Sequence, residues 1–249
     1  MRLADVAMVA ADTSRSRVYI QALARNSLLP SFVLVLGGKV GQPLPGQADP
    51  SHVVRQAMGS ADECWSEADF DPAEPLQVTL EHSGTPFEVA SSPDINDEAV
   101  VAALKHRIES TFIYSGYGGA LLRAALHSGK RFLHVHGGYL PDFKGSTTNY
   151  YSLLVDNTLG ASALFLTEDI DSGPVLCRRR FPPPLDRTQM EHTYDAAARA
   201  KVLVGTLHAY VRTGEWREEL LANSVGETYF IIHPVLKHIA ILSEQQPSL

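Results

Sequence analysis

Short apolar runs alternate with segments of helical period along most of the chain. "VAMVAA" (6–11) carries no polar residue over a strand's length and predicts a buried strand. Ser14 or Ser16 can cap a helix running to about Asn26, and "FVLVL" (32–36) predicts the next strand, so the chain opens β-α-β. Between 37 and 93 the pattern weakens: "GGKVGQPLPGQADPS" reads as loop, and the rest as short helix mixed with polar connection. Order returns at "SPDINDEAVVAALKHRIES", where Asp94 or Asn96 can cap a helix with Val100, Val101, Leu104 and Ile108 at helical spacing. Strand "TFIYS", glycine turn "GYGG", helix "ALLRAALHSG" and strand "FLHV" follow. Next come a helix near 148–155, strands "SALFL" and "VLCRRRF" about the turn "DIDSGP", and a long helix over 190–211. The alternation predicts an α/β fold: a mostly parallel, doubly wound, Rossmann-like sheet with helices on both faces. Residues 1–211 form the predicted domain, and 212–249 a short C-terminal extension packed on it.

Composition narrows the class. The 249 residues are 45% hydrophobic and 20% charged, as in a soluble globular protein, and the formal net charge of -7 disfavours a nucleic-acid backbone as partner. Cys177-Arg178-Arg179-Arg180 is a local basic patch, but on a strand its arginines alternate faces, which suits a solvated edge. Cys64 and Cys177 provide neither a disulfide framework nor zinc spacing. Asp5 interrupts the first apolar run, no signal-peptide core precedes it, and no run reaches the ~18 apolar residues of a membrane span. The expectation is a cytoplasmic protein with no membrane partner.

Chemistry concentrates at three turns. In an open α/β sheet, ligands bind beyond the carboxyl ends of the strands. "SGYGG" (115–119), "HVHGGYLP" (134–141) and "TEDIDSGP" (167–174) each follow a predicted strand. Gly116, Gly118 and Gly119 allow either a structural turn or close backbone approach to a ligand. Leu121 occupies the last glycine position of the dinucleotide fingerprint, which argues against NAD. His134 and His136 lie two apart and face one side of their strand. They can be hydrogen-bonded structural histidines, metal ligands together with Asp171, or acid-base groups. Asp171 can cap its own tight turn, act as a base, or fix a histidine tautomer.

The block from Phe132 to Leu176 resembles the formyltetrahydrofolate-dependent formyltransferases, a family that carries Asn-x-His-Pro-Ser-x-Leu-Pro-x-x-x-Gly after a strand and a later Asp-x-Gly turn. His136, Leu140, Pro141, Gly145, Asp171 and Gly173 coincide with that pattern in "HVHGGYLPDFKG" and "DIDSGP", and "YSGYGGALL" resembles the folate-contacting loop. The resemblance implies a formyltransferase fold and transfer of a formyl group from N10-formyltetrahydrofolate, the co-substrate, to an amine. It implies that His136 hydrogen-bonds the formyl oxygen while Asp171 orients His136 and relays the amine proton through a water. Gly116, Tyr117, Gly118, Gly119 and Leu121 would hold the folate, with Thr167 and Asp169 in the loop enclosing its pteridine. No metal is implied.

Three departures stand out. The family's Asn is His134 here, its Pro-Ser is Gly137-Gly138, and its arginine before the loop glycine is Lys144. An imidazole offers one donor and one acceptor on opposite ring sides, so His134 replaces only part of a carboxamide's role. The last third carries no basic domain of the kind a tRNA substrate requires, which favours a small amine. Asn149, Tyr150 and Tyr151, with Lys144, are the expected acceptor contacts, and the hydroxyl-rich partner they suit is an amino sugar or sugar nucleotide. A metal-dependent hydrolase using His134, His136 and Asp171, a non-catalytic folate- or sugar-binding descendant, and a formyltetrahydrofolate hydrolase remain alternatives. Homodimerisation is left open.

Overall fold

The computed structural model describes residues 2–37, 70–117, 122–220 and 226–243. The loop expected after residue 37, Cys64, and the folate-loop positions Gly118, Gly119 and Leu121 lie outside the described residues.

The chain opens with β1 (Arg2–Leu3), β2 (Val6–Ala10), α1 (Ser14–Arg25), β3 (Leu29–Pro30) and β4 (Val33–Val35). β2 is buried along its whole length, as expected for a central strand covered on both faces. Thr13, rather than Ser14 or Ser16, caps α1 by accepting from the Ser16 N–H. The Ser16 hydroxyl is drawn instead to Ser115, donating to its carbonyl at 2.9 Å. After α2 (Leu76–His82) and β5 (Phe87–Val89), α3 (Glu98–His106) is capped by Asp97. The Asn96 carboxamide oxygen serves the next element, accepting from the N–H groups of Arg123 and Ala125. Ile108 lies past the end of α3 and is 88% exposed, so the helical spacing overran the helix by two residues.

β6 (Thr111–Ser115) matches its predicted span. The helix expected over 120–129 is reduced, among the described residues, to a 3-10 turn at Ala125–Ser128 that ends at left-handed Gly129. Then come β7 (Arg131–His136), β8 (Phe143–Gly145), α4 (Thr148–Val155), β9 (Leu159–Phe165) and β10 (Val175–Phe181). A π-turn at Met190–Tyr194 leads into α5 (Asp195–Thr213), so the long helix begins later than its periodicity suggested. β11 (Glu227–Tyr229) and α6 (Pro234–Leu242) complete the described chain.

One seven-stranded sheet runs β10-β9-β7-β6-β2-β4-β5. The five strands from β7 to β5 are parallel, whereas β9 pairs antiparallel with both β7 and β10. On one face α1, α2 and α5 bury a cluster that includes Val18, Tyr19, Leu23, Leu133, Val135 and Leu203. On the other, Val100 and Leu104 of α3 pack with Phe112, Tyr114 and Phe132. β10 is an edge strand, and its arginines are spent on local partners: Arg178 meets Glu219 at 3.0 Å and Arg180 meets Asp142 at 2.6 Å. None of the described helices is long and apolar enough to cross a membrane.

Candidate active site

β7 delivers the two histidines, and the turns on either side separate their fates. His136, its last residue, is buried and borders a cavity of about 190 Å³. His134 is outside the cavity lining; its ring lies 6.1 Å from the Tyr114 ring, with Nδ1 3.5 Å from the Tyr114 carbonyl. Burial, reinforced by the nearby Arg15 and Arg199 guanidinium groups, holds His134 well below its ordinary pKa, so it is neutral at physiological pH.

Both nitrogens of His136 are engaged. Nε2 lies 2.8 Å from the Phe143 carbonyl, and Nδ1 lies 3.3 Å from Asp171 Oδ2. Burial lowers the pKa of His136, the Asp171 carboxylate opposes that shift, and Arg199 adds to it. The Asp171 oxygen also accepts from the Gly145 N–H at 2.9 Å. Asp171 adopts a left-handed backbone conformation (φ 49°), which Asp tolerates better than most residues.

The route by which Asp171 arrives differs from the sequence expectation. Only the first two of the three turns follow parallel strands. Because β9 is antiparallel, its carboxyl end, Phe165, lies beside Leu133 rather than beyond His136. The connection from β9 to β10 folds back along β7 to bring Asp171 to the imidazole. Gly173 permits this return, since a Cβ there would lie 1.8 Å from the Phe165 carbonyl oxygen.

The cavity wall joins the marked Gly137 and Gly145 to five residues that the sequence pattern had not singled out by number, Thr147, Met190, Glu191, Asp195 and Arg199. Gly137, Gly145, Thr147, Thr148, Met190, Glu191, Asp195 and Arg199 line it with His136, Asn149 and Tyr150. Arg199 donates from Nε to Asp195 at 2.8 Å and from Nη1 to the Val135 carbonyl at 2.7 Å. The Asn149 amide donates to Asp195 at 2.8 Å and its oxygen accepts from Gly160, so both ends of the carboxamide are occupied. Gly137 is glycine for a local reason: a Cβ there would meet Arg199 Nη2 at 2.4 Å. The available signal was the i, i+4 pair Asp195 and Arg199 on an otherwise alanine-rich helix face.

Of the other expected acceptor contacts, Lys144 sits on β8 opposite Thr228, and Tyr151 packs its ring 4.5 Å from Tyr229; neither lines the cavity. Of the expected folate contacts, the Gly116 carbonyl accepts from Arg15, and Thr167 and Asp169 are exposed on the returning turn. Tyr117 and Leu166 pack against the α3-side cluster, where the buried Tyr114 hydroxyl has no hydrogen-bond partner. Among the described residues no three His, Cys, Asp or Glu side chains group to hold a metal ion.

No family model matches the chain. It is 30% identical over 122 residues to a methionyl-tRNA formyltransferase of Rhodopirellula baltica, a match covering 48% of this chain and 36% of that one. The matched stretch spans less than half the length of the curated relatives. The fold is that of a sugar N-formyltransferase from a Shewanella species (TM-score 0.56, 15% identity, 95% of this chain and 86% of that one). It is likewise similar to glycinamide ribonucleotide transformylase 1 of Symbiobacterium toebii (TM-score 0.55, 15% identity, 85% and 88%). In sequence the chain resembles methionyl-tRNA formyltransferases, and its fold is the formyltransferase fold. His136 and Asp171 lie 3.3 Å apart, and His134, where the sequence departs from the motif's Asn, does not line the cavity.

Proposed function

We propose that the protein transfers a formyl group from N10-formyltetrahydrofolate to the amine of a small acceptor, with an amino sugar or sugar nucleotide as the first acceptor class to test. The observation that carries this reading is the buried His136–Asp171 contact at the edge of a small polar cavity. The donor supplies the formyl carbon; the chain supplies a donor for the formyl oxygen and an acceptor for the amine proton.

His136 Nε2–H donates to the neutral Phe143 carbonyl at rest. As negative charge builds on the formyl oxygen, that oxygen becomes the stronger acceptor for the same N–H. Asp171, held by the Gly145 N–H, takes up the amine proton through a water; as the intermediate collapses the bond from the formyl carbon to N10 breaks and that proton passes to N10, releasing tetrahydrofolate. Neutral His134 does not compete for that proton. Asp195, paired with Arg199, and Glu191, paired with Lys237, bring carboxylate oxygens to the cavity wall where an amine can approach, while Thr147, Thr148 and Tyr150 bring hydroxyls toward a polyhydroxylated acceptor. Tyr117, packed on the α3-side cluster after β6, is the described residue of the expected folate loop that would meet the pterin.

The test is to incubate the protein with N10-formyltetrahydrofolate and a panel of amino sugars and sugar nucleotides, reading acceptor mass by mass spectrometry. Gain of one formyl group, dependent on enzyme and donor, supports the proposal. Donor consumption with formate release and no acceptor gain would replace it with hydrolysis, and no donor consumption would refute catalysis of either kind.

A further inference from the structure

β8 has two working edges. Toward the site it presents the Phe143 carbonyl to His136 Nε2 and the Gly145 N–H to Asp171 Oδ2. Residues two apart in a strand direct their backbone groups to the same edge, so three residues address both members of the pair. The opposite edge pairs in parallel with β11, placing Phe143 against Glu227, Lys144 against Thr228 and Gly145 against Tyr229. Among the described residues these strands form a two-stranded sheet separate from the main one. The position of β8 is therefore not inherited from the main sheet.

Tyr229 is where the C-terminal segment grips this strand. Its ring stacks on Phe143 at 5.5 Å and contacts Tyr151 at 4.5 Å, while its carbonyl accepts from the Ser146 N–H at 2.9 Å. Gly145, with φ 97°, approaches so closely that a Cβ would lie 2.1 Å from the Tyr229 oxygen. Beyond it, the Ile232 N–H donates to the Thr147 hydroxyl at 2.9 Å, tying the segment to the cavity wall.

We infer that Tyr229 is a positioning residue: by seating Phe143, it selects the His136 tautomer that carries its proton on Nε2 and turns Nδ1 toward Asp171. The inference rests on the roles of His136 and Asp171 proposed above. A carbonyl only accepts, so a ring bonded to Phe143 must donate from Nε2. The neutral ring has one N–H between two acceptors, the Phe143 carbonyl at Nε2 and the Asp171 carboxylate at Nδ1, so how firmly Phe143 is seated decides which nitrogen keeps the proton. A ring released from Phe143 can carry its proton on Nδ1 instead and donate it to Asp171, leaving no N–H for the formyl oxygen. The other charged groups around the pair are Arg199 and Asp195 on α5, Lys144 on β8 and Glu227 on β11, with His134 beside it on β7; the Tyr229 phenol bonds Glu227, and Tyr229→Phe isolates the loss of that bond from the loss of the ring.

The experiment compares wild type, Tyr229→Ala and Tyr229→Phe in the full chain with 15N-labelled histidine, His136→Gln serving for assignment. The 15N shifts of neutral His136 report the tautomer without any turnover. Wild type and Tyr229→Phe are expected to hold the proton on Nε2. Tyr229→Ala should shift toward the Nδ1–H form, with kcat lower by about 10-fold to 100-fold, the scale of a 1 Å misplacement, and KM for the formyl donor little changed. Thr147→Ala, with Thr147→Ser as its rescue, gives a milder second perturbation should Tyr229→Ala fail to fold. An unchanged tautomer and an unchanged kcat in both alanine variants would overturn the inference. A shifted tautomer in a protein whose wild type transfers no formyl group would support the coupling and remove the functional reading instead. Transfer in the wild type with no tautomer shift in the variants would do the reverse.

Discussion

Replacing Asp171 by Asn isolates its charge more cleanly than most active-site changes. Asn is among the few residues that accept the left-handed conformation of this position, and its amide oxygen can still receive the Gly145 N–H. What is lost is the proton acceptor and the attraction for a protonated His136. Across 3.3 Å, at an effective dielectric constant of about 20, that attraction is about 5 kcal/mol; fully hydrated, it would be about 1 kcal/mol. Both side chains are less than a tenth exposed, so the larger figure is the better guide. A general base contributes roughly 10² to 10⁴ in rate, or about 3 to 5 kcal/mol of barrier, which that attraction can supply. The expected result for Asp171→Asn is a kcat at least about 100-fold lower, with the melting temperature within a few degrees of wild type. Steady-state transfer with the identified amine, alongside calorimetry, makes the measurement. A folded variant that turns over within about threefold of wild type would show that the carboxylate does no more than hold its turn.

Two further substitutions probe the surroundings of the pair. His134 is held below its ordinary pKa of 6.5, so the unfolded chain binds its proton first on acidification. Its contribution is complete above about pH 6.5 and declines as pH falls toward the folded-state pKa, by at most about 1.4 kcal/mol per pH unit. Urea unfolding between pH 7.5 and 5.5 should be flatter for His134→Gln than for wild type, and parallel slopes would contradict a neutral, half-buried imidazole. Gly137→Ala drives a Cβ toward Arg199 Nη2 and Asp195 Oδ1, so it should cost about 1 to 3 kcal/mol in stability and raise KM for the acceptor more than for the formyl donor. Equal changes in the two KM values would place the Asp195–Arg199 pair away from the acceptor.

The parts of the fold legible in the sequence were those governed by local pattern. β6 coincided with "TFIYS", and the caps missed at α1 and α3 were each displaced by a residue or so because neighbouring Ser16 and Asn96 bond to distant backbone. Strand direction was not legible: "SALFL" reads the same parallel or antiparallel, and the reversal at β9 is decided by pairing across the sheet. Spacing pointed to His136 and Asp171 through motif positions, although the supposed route, three parallel strand ends, holds for only two of the turns. Period-two reasoning put both imidazoles on one face, but could not show that His134 packs by Tyr114 while His136 reaches the cavity. Arg199, Asp195 and Thr147 escaped notice because their importance comes from long-range contacts with the β7 carbonyl, Asn149 and the C-terminal segment.

The pairing of β8 with β11 also sets an order of assembly. The β9 and β10 hairpin that carries Asp171 closes locally, but the bond from Ile232 to Thr147 joins residues 85 apart. Such distant closures are entropically slow relative to hairpins, and on the ribosome they must wait for the later segment to emerge. The chain can therefore complete its main sheet well before the imidazole is seated against Phe143. Competence waits for β11, and a nascent chain stopped before residue 226 carries both His136 and Asp171 without the strand that aligns them.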